Sequence, residues 1–143
     1  MTIIGFDVSK NELVGARINK GASVKETIIM ENTAEKIDQF LEDAKETYPH
    51  LIIASEATAD YHRMLAERCV KRNIPFRLLN PILTKQFTRA TIRKKKTDLT
   101  DAHIIAKLTL QGEGTLLTPY AFDPAKSIAR TAAKINRLCK TLS

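Results

Sequence analysis

Residues 3–30 read IIGFDVSKNELVGARINKGASVKETIIM and contain three runs typical of β-strands, at 3–8, 13–18 and 24–30. Short polar segments around Asn11 and Gly21 separate the runs as turns. Strands that follow each other this closely are expected to pair as an antiparallel meander. Asp7 lies near the end of the first run, where a charge is unusual because such an apolar run is typical of a buried strand. The first strand is therefore predicted to be central, with Asp7 buried.

Helical and strand-like segments alternate after the meander. Asn32 is the predicted N-cap of a helix, with Glu35 as its capping-box partner, and Pro49 ends that helix. Residues 51–54 are a fourth predicted strand that runs directly into Glu56, and residues 75–79 are a fifth. Strands separated by helices favour parallel pairing. This order predicts an α/β fold resembling ribonuclease H, with a five-stranded mixed sheet flanked by helices.

The stretch 93–106, RKKKTDLTDAHIIA, carries four cations followed by Asp98 and Asp101 at a predicted helix start. Cations hold phosphates and paired carboxylates hold divalent metals, so the stretch combines the groups that phosphodiester chemistry uses. Two other interpretations remain open. Asp-x-x-Asp is an ordinary way to begin a helix, and a basic run is often only a solvated surface.

The whole chain has 143 residues with 43% hydrophobic side chains, which suits one globular domain. Its net charge of +7 favours a polyanionic partner. The longest apolar runs are too short to cross a bilayer and the start does not resemble a signal peptide, so a cytoplasmic protein is the expectation. Cys69 and Cys139 do not have the spacing of a metal site.

The predicted fold brings distant carboxylates together. Its first and fourth strands are neighbours, so Asp7 and Glu56 are expected at one edge of the sheet, with Asp98 and Asp101 packing across it. Four carboxylates there would stay ionised only with cations, and two Mg²⁺ or Mn²⁺ ions about 4 Å apart would balance them. Alternatively, Asp7 is a buried aspartate bonded to backbone N–H groups, and Glu56 is an ordinary surface acid.

Cations surround this predicted site in the sequence. Six of them and no acid fall between residues 85 and 96, and one more follows the first strand. They are expected to contact nucleic-acid backbone without reading bases. The predicted nucleic-acid-binding residues are Lys10, Lys85, Arg89, Arg93, Lys94, Lys95 and Lys96.

Four segments together carry a family resemblance: GFDVSK (5–10), SEATADYH (55–62), NPILTKQF (80–87) and RKKKTDLTDAHIIA (93–106). In this order they resemble the N-terminal, RuvC-like domain of the DEDD transposases of insertion sequences. That family includes the pilin-gene inverting recombinases and the bridge-RNA-guided recombinases. The resemblance places the family's tetrad on Asp7, Glu56, Asp98 and Asp101. Ala59 stands where the family's E-x-T-G-x-Y pattern has a glycine.

The resemblance implies a DNA transposase or site-specific recombinase that cleaves and transfers strands with Mg²⁺ or Mn²⁺. DNA is the implied partner, and a guide RNA is a further candidate. The resemblance divides the chain into a catalytic domain, 1–115, and a loop with the start of a coiled-coil linker, 116–143. The linker would lead to a C-terminal domain with a nucleophilic serine. Residues Ile128, Ala132, Ile135, Cys139 and Leu142 follow a heptad pattern there, through which the full protein is expected to form homo-oligomers.

Two other functions remain open at this point. In one, the chain is a nucleic-acid-binding and assembly module that is inactive without its C-terminal domain. In the other, it is an actin-like ATPase, since GFDVSK resembles a phosphate loop after a first strand. A second glycine-rich phosphate loop is not present in the sequence, which disfavours the ATPase.

Overall fold

The first three strands form the expected antiparallel meander. In the computed structural model, which describes residues 1–19, 24–57, 59–92 and 101–118, they belong to a six-stranded mixed sheet of order β3-β2-β1-β4-β5-β6. The strands are β1 (Thr2–Val8), β2 (Glu12–Asn19), β3 (Val24–Glu31), β4 (Leu51–Glu56), β5 (Phe76–Leu79) and β6 (Thr115–Leu116). The helices are α1 (Ala34–Thr47), α2 (Arg63–Lys71), α3 (Pro81–Ile92) and α4 (Asp101–Leu110).

Strand β1 is central, as the sequence predicts. It pairs antiparallel with β2 and parallel with β4, and β4 pairs parallel with β5. The five predicted strands are thereby confirmed. The short β6 is an addition that lies antiparallel to β5, and the backbone N–H of Leu117 then donates to the carbonyl of Phe76 at 2.9 Å.

The sheet buries both faces because β1 and β4 are apolar on both sides. On one face Ile4 and Phe6 pack with Leu41 of α1 and Leu65 of α2. On the other face α4 covers the sheet, where Ala54 of β4 packs with its apolar side chains. Such central strands are nearly continuous apolar runs, which is the pattern that singled out β1 in the sequence.

Helix α4 lies unusually close to β1 at Gly5. A Cβ at this position would be 2.5 Å from the backbone nitrogen of Ala106 and 2.6 Å from the carbonyl oxygen of Ala102. Real Cβ atoms do not approach backbone atoms this closely, so the absence of a side chain at residue 5 sets how α4 seats on the sheet.

On the face of the sheet covered by α1 and α2, the two helices are joined by ion pairs as well as by apolar contacts. Asp38 of α1 pairs with Arg68 of α2 at 3.0 Å and with Arg72 at 2.9 Å, and Arg72 also pairs with Glu42 at 3.0 Å. This network fixes α1 against α2.

The start of α1 differs from the prediction: Thr33, not Asn32, is the N-cap, and its side chain accepts from the backbone N–H of Lys36. The side chain of Asn32 bonds elsewhere.

We expect Gly5→Ala to destabilise the protein by about 3 kcal/mol, because the added methyl group would push α4 off the strand. Chemical unfolding monitored by circular dichroism measures this loss. Gly112→Ala is the matched control: no atom lies within 4 Å of its added Cβ, but its φ of +90° disfavours alanine, so its cost should be about 1 kcal/mol. A smaller loss at Gly5 than at Gly112 would contradict the close-contact argument.

Candidate active site

Strands β1 and β4 end side by side and each ends with a carboxylate. Phe6 lies opposite Ser55 in the parallel pairing, so Asp7 and Glu56 are the next residues on two strands about 4.8 Å apart. Side chains alternate along a strand, so Asp7 shares the face of Gly5 and Glu56 shares the face of Ala54. That is the face covered by α4.

The first residue of α4, Asp101, comes to the same edge. Ile3 packs with Ala106, while Gly5 touches both Ala102 and Ala106. Helix α4 therefore runs antiparallel to β1, and its N-terminus lies at the carboxyl end of that strand. The helix start that carries Asp101 is thus placed beside Asp7, as the sequence predicts.

The electrostatics of Asp7 show this proximity. Partial desolvation of its carboxyl, and secondly the negative charge of Asp101, raise the pKa of Asp7 above its ordinary value of 3.8. The prediction that Asp7 is buried is wrong, since the residue is exposed. The strand ends at this point, so the carboxyl reaches solvent while the surrounding protein still disfavours its charge. A proton or a bound cation would relieve this repulsion.

The side chain of Glu56 is held by helix α3. It is half-buried, and its Oε2 accepts a hydrogen bond of 3.1 Å from the hydroxyl of Thr84. Just past Glu56, the backbone N–H of Ala57 donates to the carbonyl of Leu79 at 2.9 Å. The N-terminus of α3 therefore lies next to the Glu56 carboxylate. Thr84 was not singled out by the sequence analysis, and only its place in the NPILTKQF segment offered a signal.

Asn32 joins the segments that follow β1 and β4. Its Nδ2 donates to the carbonyl of Ser9 at 2.9 Å and to the carbonyl of Tyr61 at 3.2 Å. Its backbone N–H also donates to the carbonyl of Asn11 at 3.0 Å. One side chain thus links the turn after Asp7 to the segment after Glu56, a role that the predicted helix cap did not suggest.

The predicted nucleic-acid-binding residues divide into two groups. Lys10 follows β1, and Lys85 and Arg89 project from α3, all of them exposed. The other predicted cations, Arg93, Lys94, Lys95 and Lys96, lie outside the described residues, and so does the fourth predicted ligand, Asp98.

The donors at this edge suit a hard divalent cation, because carboxylate oxygens are the preferred ligands of Mg²⁺ and Mn²⁺. The crowding of Asp7 by Asp101 is what a cation would offset. Within 1–19, 24–57, 59–92 and 101–118, no three His, Cys, Asp or Glu side chains already form a metal-holding group. Three of the four predicted ligands are therefore placed on one edge without a closed coordination shell.

The sequence matches a known family over nearly its whole length. The pattern of the DEDD transposases of the IS110 type, described as a transposase family, covers residues 4–142. The chain belongs to this family. No curated protein sequence matches it. Among solved structures, it is similar to T. thermophilus RuvC, determined in complex with a Holliday junction substrate. The TM-score is 0.57 at 12% identity, over 82% of this chain and 99% of that one.

These comparisons confirm the resemblance and the RuvC-like, ribonuclease H-like fold. The family makes the chain a domain of a DNA transposase, and the similarity to RuvC shows the fold that this domain has. Family membership also sets the actin-like ATPase aside. Along the described residues, every helix is too short or too polar to span a membrane. The domain division at residue 115 stays a prediction.

We expect Asp7→Asn to stabilise the metal-free protein at neutral pH. The folded state raises the pKa of Asp7, so ionising this carboxyl costs folding free energy above the folded pKa. The cost disappears below the unfolded value of 3.8. Thermal unfolding in EDTA should therefore give a higher Tm for the variant at pH 7, and the difference should shrink toward pH 4.

Asp43→Asn is the control for this measurement, because Asp43 is an exposed residue of α1 and its neutralisation should leave the Tm nearly unchanged. With excess Mn²⁺ the order should reverse, since wild-type protein gains the binding free energy. An Asp7→Asn variant no more stable than wild type in EDTA at pH 7 would contradict the crowding of this carboxylate.

Proposed function

We propose that Asp7, Glu56, Asp98 and Asp101 form the DEDD tetrad of this transposase. In this proposal they bind two Mg²⁺ or Mn²⁺ ions and support cleavage and strand transfer of transposon DNA. One observation carries the proposal: two strand ends and a helix start bring Asp7, Glu56 and Asp101 to one edge, where Asp101 raises the pKa of Asp7.

The bound ions would activate a hydroxyl nucleophile and stabilise the leaving oxygen of a phosphodiester. The protein would hold the carboxylate ligands in fixed positions. Asp7 is fixed by its pairing with Val14 in the β1–β2 ladder, and Glu56 by its pairing with Leu79 and its hydrogen bond from Thr84. Asp101 lies in the first turn of α4, a position that the helix dipole favours for an acid. Such rigid placement is what two-metal chemistry requires.

The edge of the sheet with Asp7, Glu56 and Asp101, here called the carboxylate edge, has cations near it that would bind nucleic acid. Lys10 follows Asp7 by three positions, and Lys85 and Arg89 face solvent on the helix that begins beside Glu56. Arg93 to Lys96 continue the series in the sequence. The similar RuvC was solved with a Holliday junction, which supports branched DNA as the class of substrate. A guide RNA would be held by the same phosphate contacts.

A second candidate function is nucleic-acid binding and assembly, with cleavage only after a serine-bearing domain joins through the proposed linker at 116–143. It is favoured by the exposed cations Lys10, Lys85 and Arg89, which can hold nucleic-acid phosphates without cleaving them. A cleavage assay on branched DNA with Mn²⁺ separates the two: slow nicking by this chain supports the tetrad as the nuclease, and binding without nicking supports assembly.

We expect Asp7→Asn, Glu56→Gln, Asp98→Asn and Asp101→Asn each to lower Mn²⁺ affinity by at least about tenfold, because each removes a ligand charge from a shared site. Isothermal titration calorimetry measures the affinity. Glu113→Gln is the control, since Glu113 is an exposed acid beyond the far end of α4 and should bind nothing. Unchanged affinity in any one variant would remove that residue from the set of ligands and so refute the tetrad as proposed.

We expect a salt-dependent, largely sequence-independent affinity for DNA. Neutralising Lys94, Lys95 and Lys96 together should flatten the plot of log affinity against log salt by roughly two to three units, and neutralising Lys85 with Arg89 by about two. Fluorescence anisotropy with duplex and branched DNA measures the slope.

The control for the salt series is Lys45→Gln with Lys71→Gln. These residues lie in the last turns of α1 and α2, at the opposite end of the sheet from the carboxylates. Their neutralisation should leave the slope unchanged. If the control pair flattened the slope as much as the α3 pair, the phosphates would be bound on another surface.

A further inference from the structure

Thr84 is a buried hydroxyl that touches a proposed metal ligand. Its side chain lies on the first turns of α3, the residue is 7% exposed, and its Oγ1 is 3.1 Å from Oε2 of Glu56. The same hydroxyl lies 2.8 Å from the carbonyl oxygen of Pro81. A hydroxyl has one hydrogen to donate, and an ionised carboxylate is a stronger acceptor than a carbonyl. Glu56 in its charged form is therefore the favoured partner.

The frame around this contact is rigid. Glu56 pairs with Leu79 across β4 and β5, and only Asn80 separates Leu79 from the start of α3. The side chain of Asn80 accepts from the backbone N–H of Ile82 at 3.0 Å, which fixes the helix start. Thr84 is also branched at Cβ, and such side chains have few rotamers in a helix. The distance from Thr84 to Glu56 is thus set by backbone that has little freedom.

We propose that Thr84 is a positioning residue that holds the Glu56 carboxylate in its metal-binding orientation. The inference rests on the proposed tetrad. By bonding Oε2, the hydroxyl fixes the plane of the carboxylate and leaves Oε1 for the cation. Without this bond a half-buried glutamate with three rotatable bonds turns toward solvent, and ordering it again opposes metal binding.

The contact also ties the metal site to the helix that carries Lys85 and Arg89. Thr84 faces the sheet while the next residue, Lys85, is exposed. Nucleic acid bound to the outer side of α3 would therefore contact the same helix that orients Glu56. A neutral hydroxyl suits this role because it adds no charge that would compete for the cation or the phosphate.

The test compares Thr84→Val, which removes the hydroxyl at nearly constant volume, with Thr84→Ser, which keeps it. Mn²⁺ affinity is measured by calorimetry, and thermal unfolding in EDTA reports on folding. We expect Thr84→Val to lower Mn²⁺ affinity about tenfold, as loss of a bond to a ligand typically does, and Thr84→Ser to stay within about threefold of wild type. Thr84→Ala replaces Thr84→Val if the valine variant does not fold.

A double-mutant cycle with Glu56→Gln distinguishes positioning from a general structural effect. If Thr84 acts through Glu56, Thr84→Val should cause no further loss of Mn²⁺ affinity in the Glu56→Gln background. An equal loss in both backgrounds overturns the positioning role. So does an unchanged affinity of Thr84→Val when Glu56→Gln alone weakens binding. If Glu56→Gln leaves Mn²⁺ affinity unchanged, Glu56 is not a ligand, and the proposed tetrad fails along with the role of Thr84.

Discussion

The arrangement of the carboxylates depends on the contact between α4 and β1 at Gly5. Side chains usually fill the space between a helix and the sheet that it covers, and so keep the two backbones apart. Here the backbone of Ala102 and Ala106 rests on the bare Cα of residue 5. The helix start is thereby brought down to the strand end, so Asp101 reaches the neighbourhood of Asp7. A side chain at residue 5 would separate two carboxylates without touching either of them.

The carboxylate edge lowers stability, and other parts of the molecule compensate for it. Desolvation and the charge of Asp101 both disfavour ionised Asp7. On the opposite face, Asp38 and Glu42 are neutralised by Arg68 and Arg72. Asp38 and Glu42 thus have cationic partners, while Asp7 has the like charge of Asp101 near it. Acids crowded by a like charge are typical of functional sites.

The sequence predicts most of the sheet, because strand periodicity and turn residues are local signals. The sequence could identify three candidate site residues, Asp7, Glu56 and Asp101, because each lies where an apolar strand or helix begins or ends. Thr84 and Asn32 could not be chosen in this way, because their partners are distant in sequence: Glu56 for the first, Ser9 and Tyr61 for the second. Strand β6 was missed because two exposed residues carry no periodicity.

The backbone conformation shows why the family has a glycine where this chain has Ala59. It has a φ of +48°, in the left-handed region where an L side chain costs about 1–2 kcal/mol. The family's glycine at this position fits that conformation. The turn is therefore kept although the residue that favours it is absent, and the strain lies three residues after Glu56 in the sequence. Backbone strain of this kind persists only where surrounding contacts hold the conformation.

Metal and nucleic acid must influence one another if the tetrad binds as proposed. Phosphates approaching Lys85 and Arg89 come close to Glu56, Asp7 and Asp101, whose charges repel them. A divalent cation at the edge reverses the sign of that interaction, so it strengthens DNA binding, and by linkage DNA strengthens metal binding by the same factor. Helix α3 takes part in both events, with Thr84 on Glu56 and its cations in solvent. If the tetrad binds as proposed, metal and nucleic acid therefore share one site, to which both the carboxylates and the cations contribute.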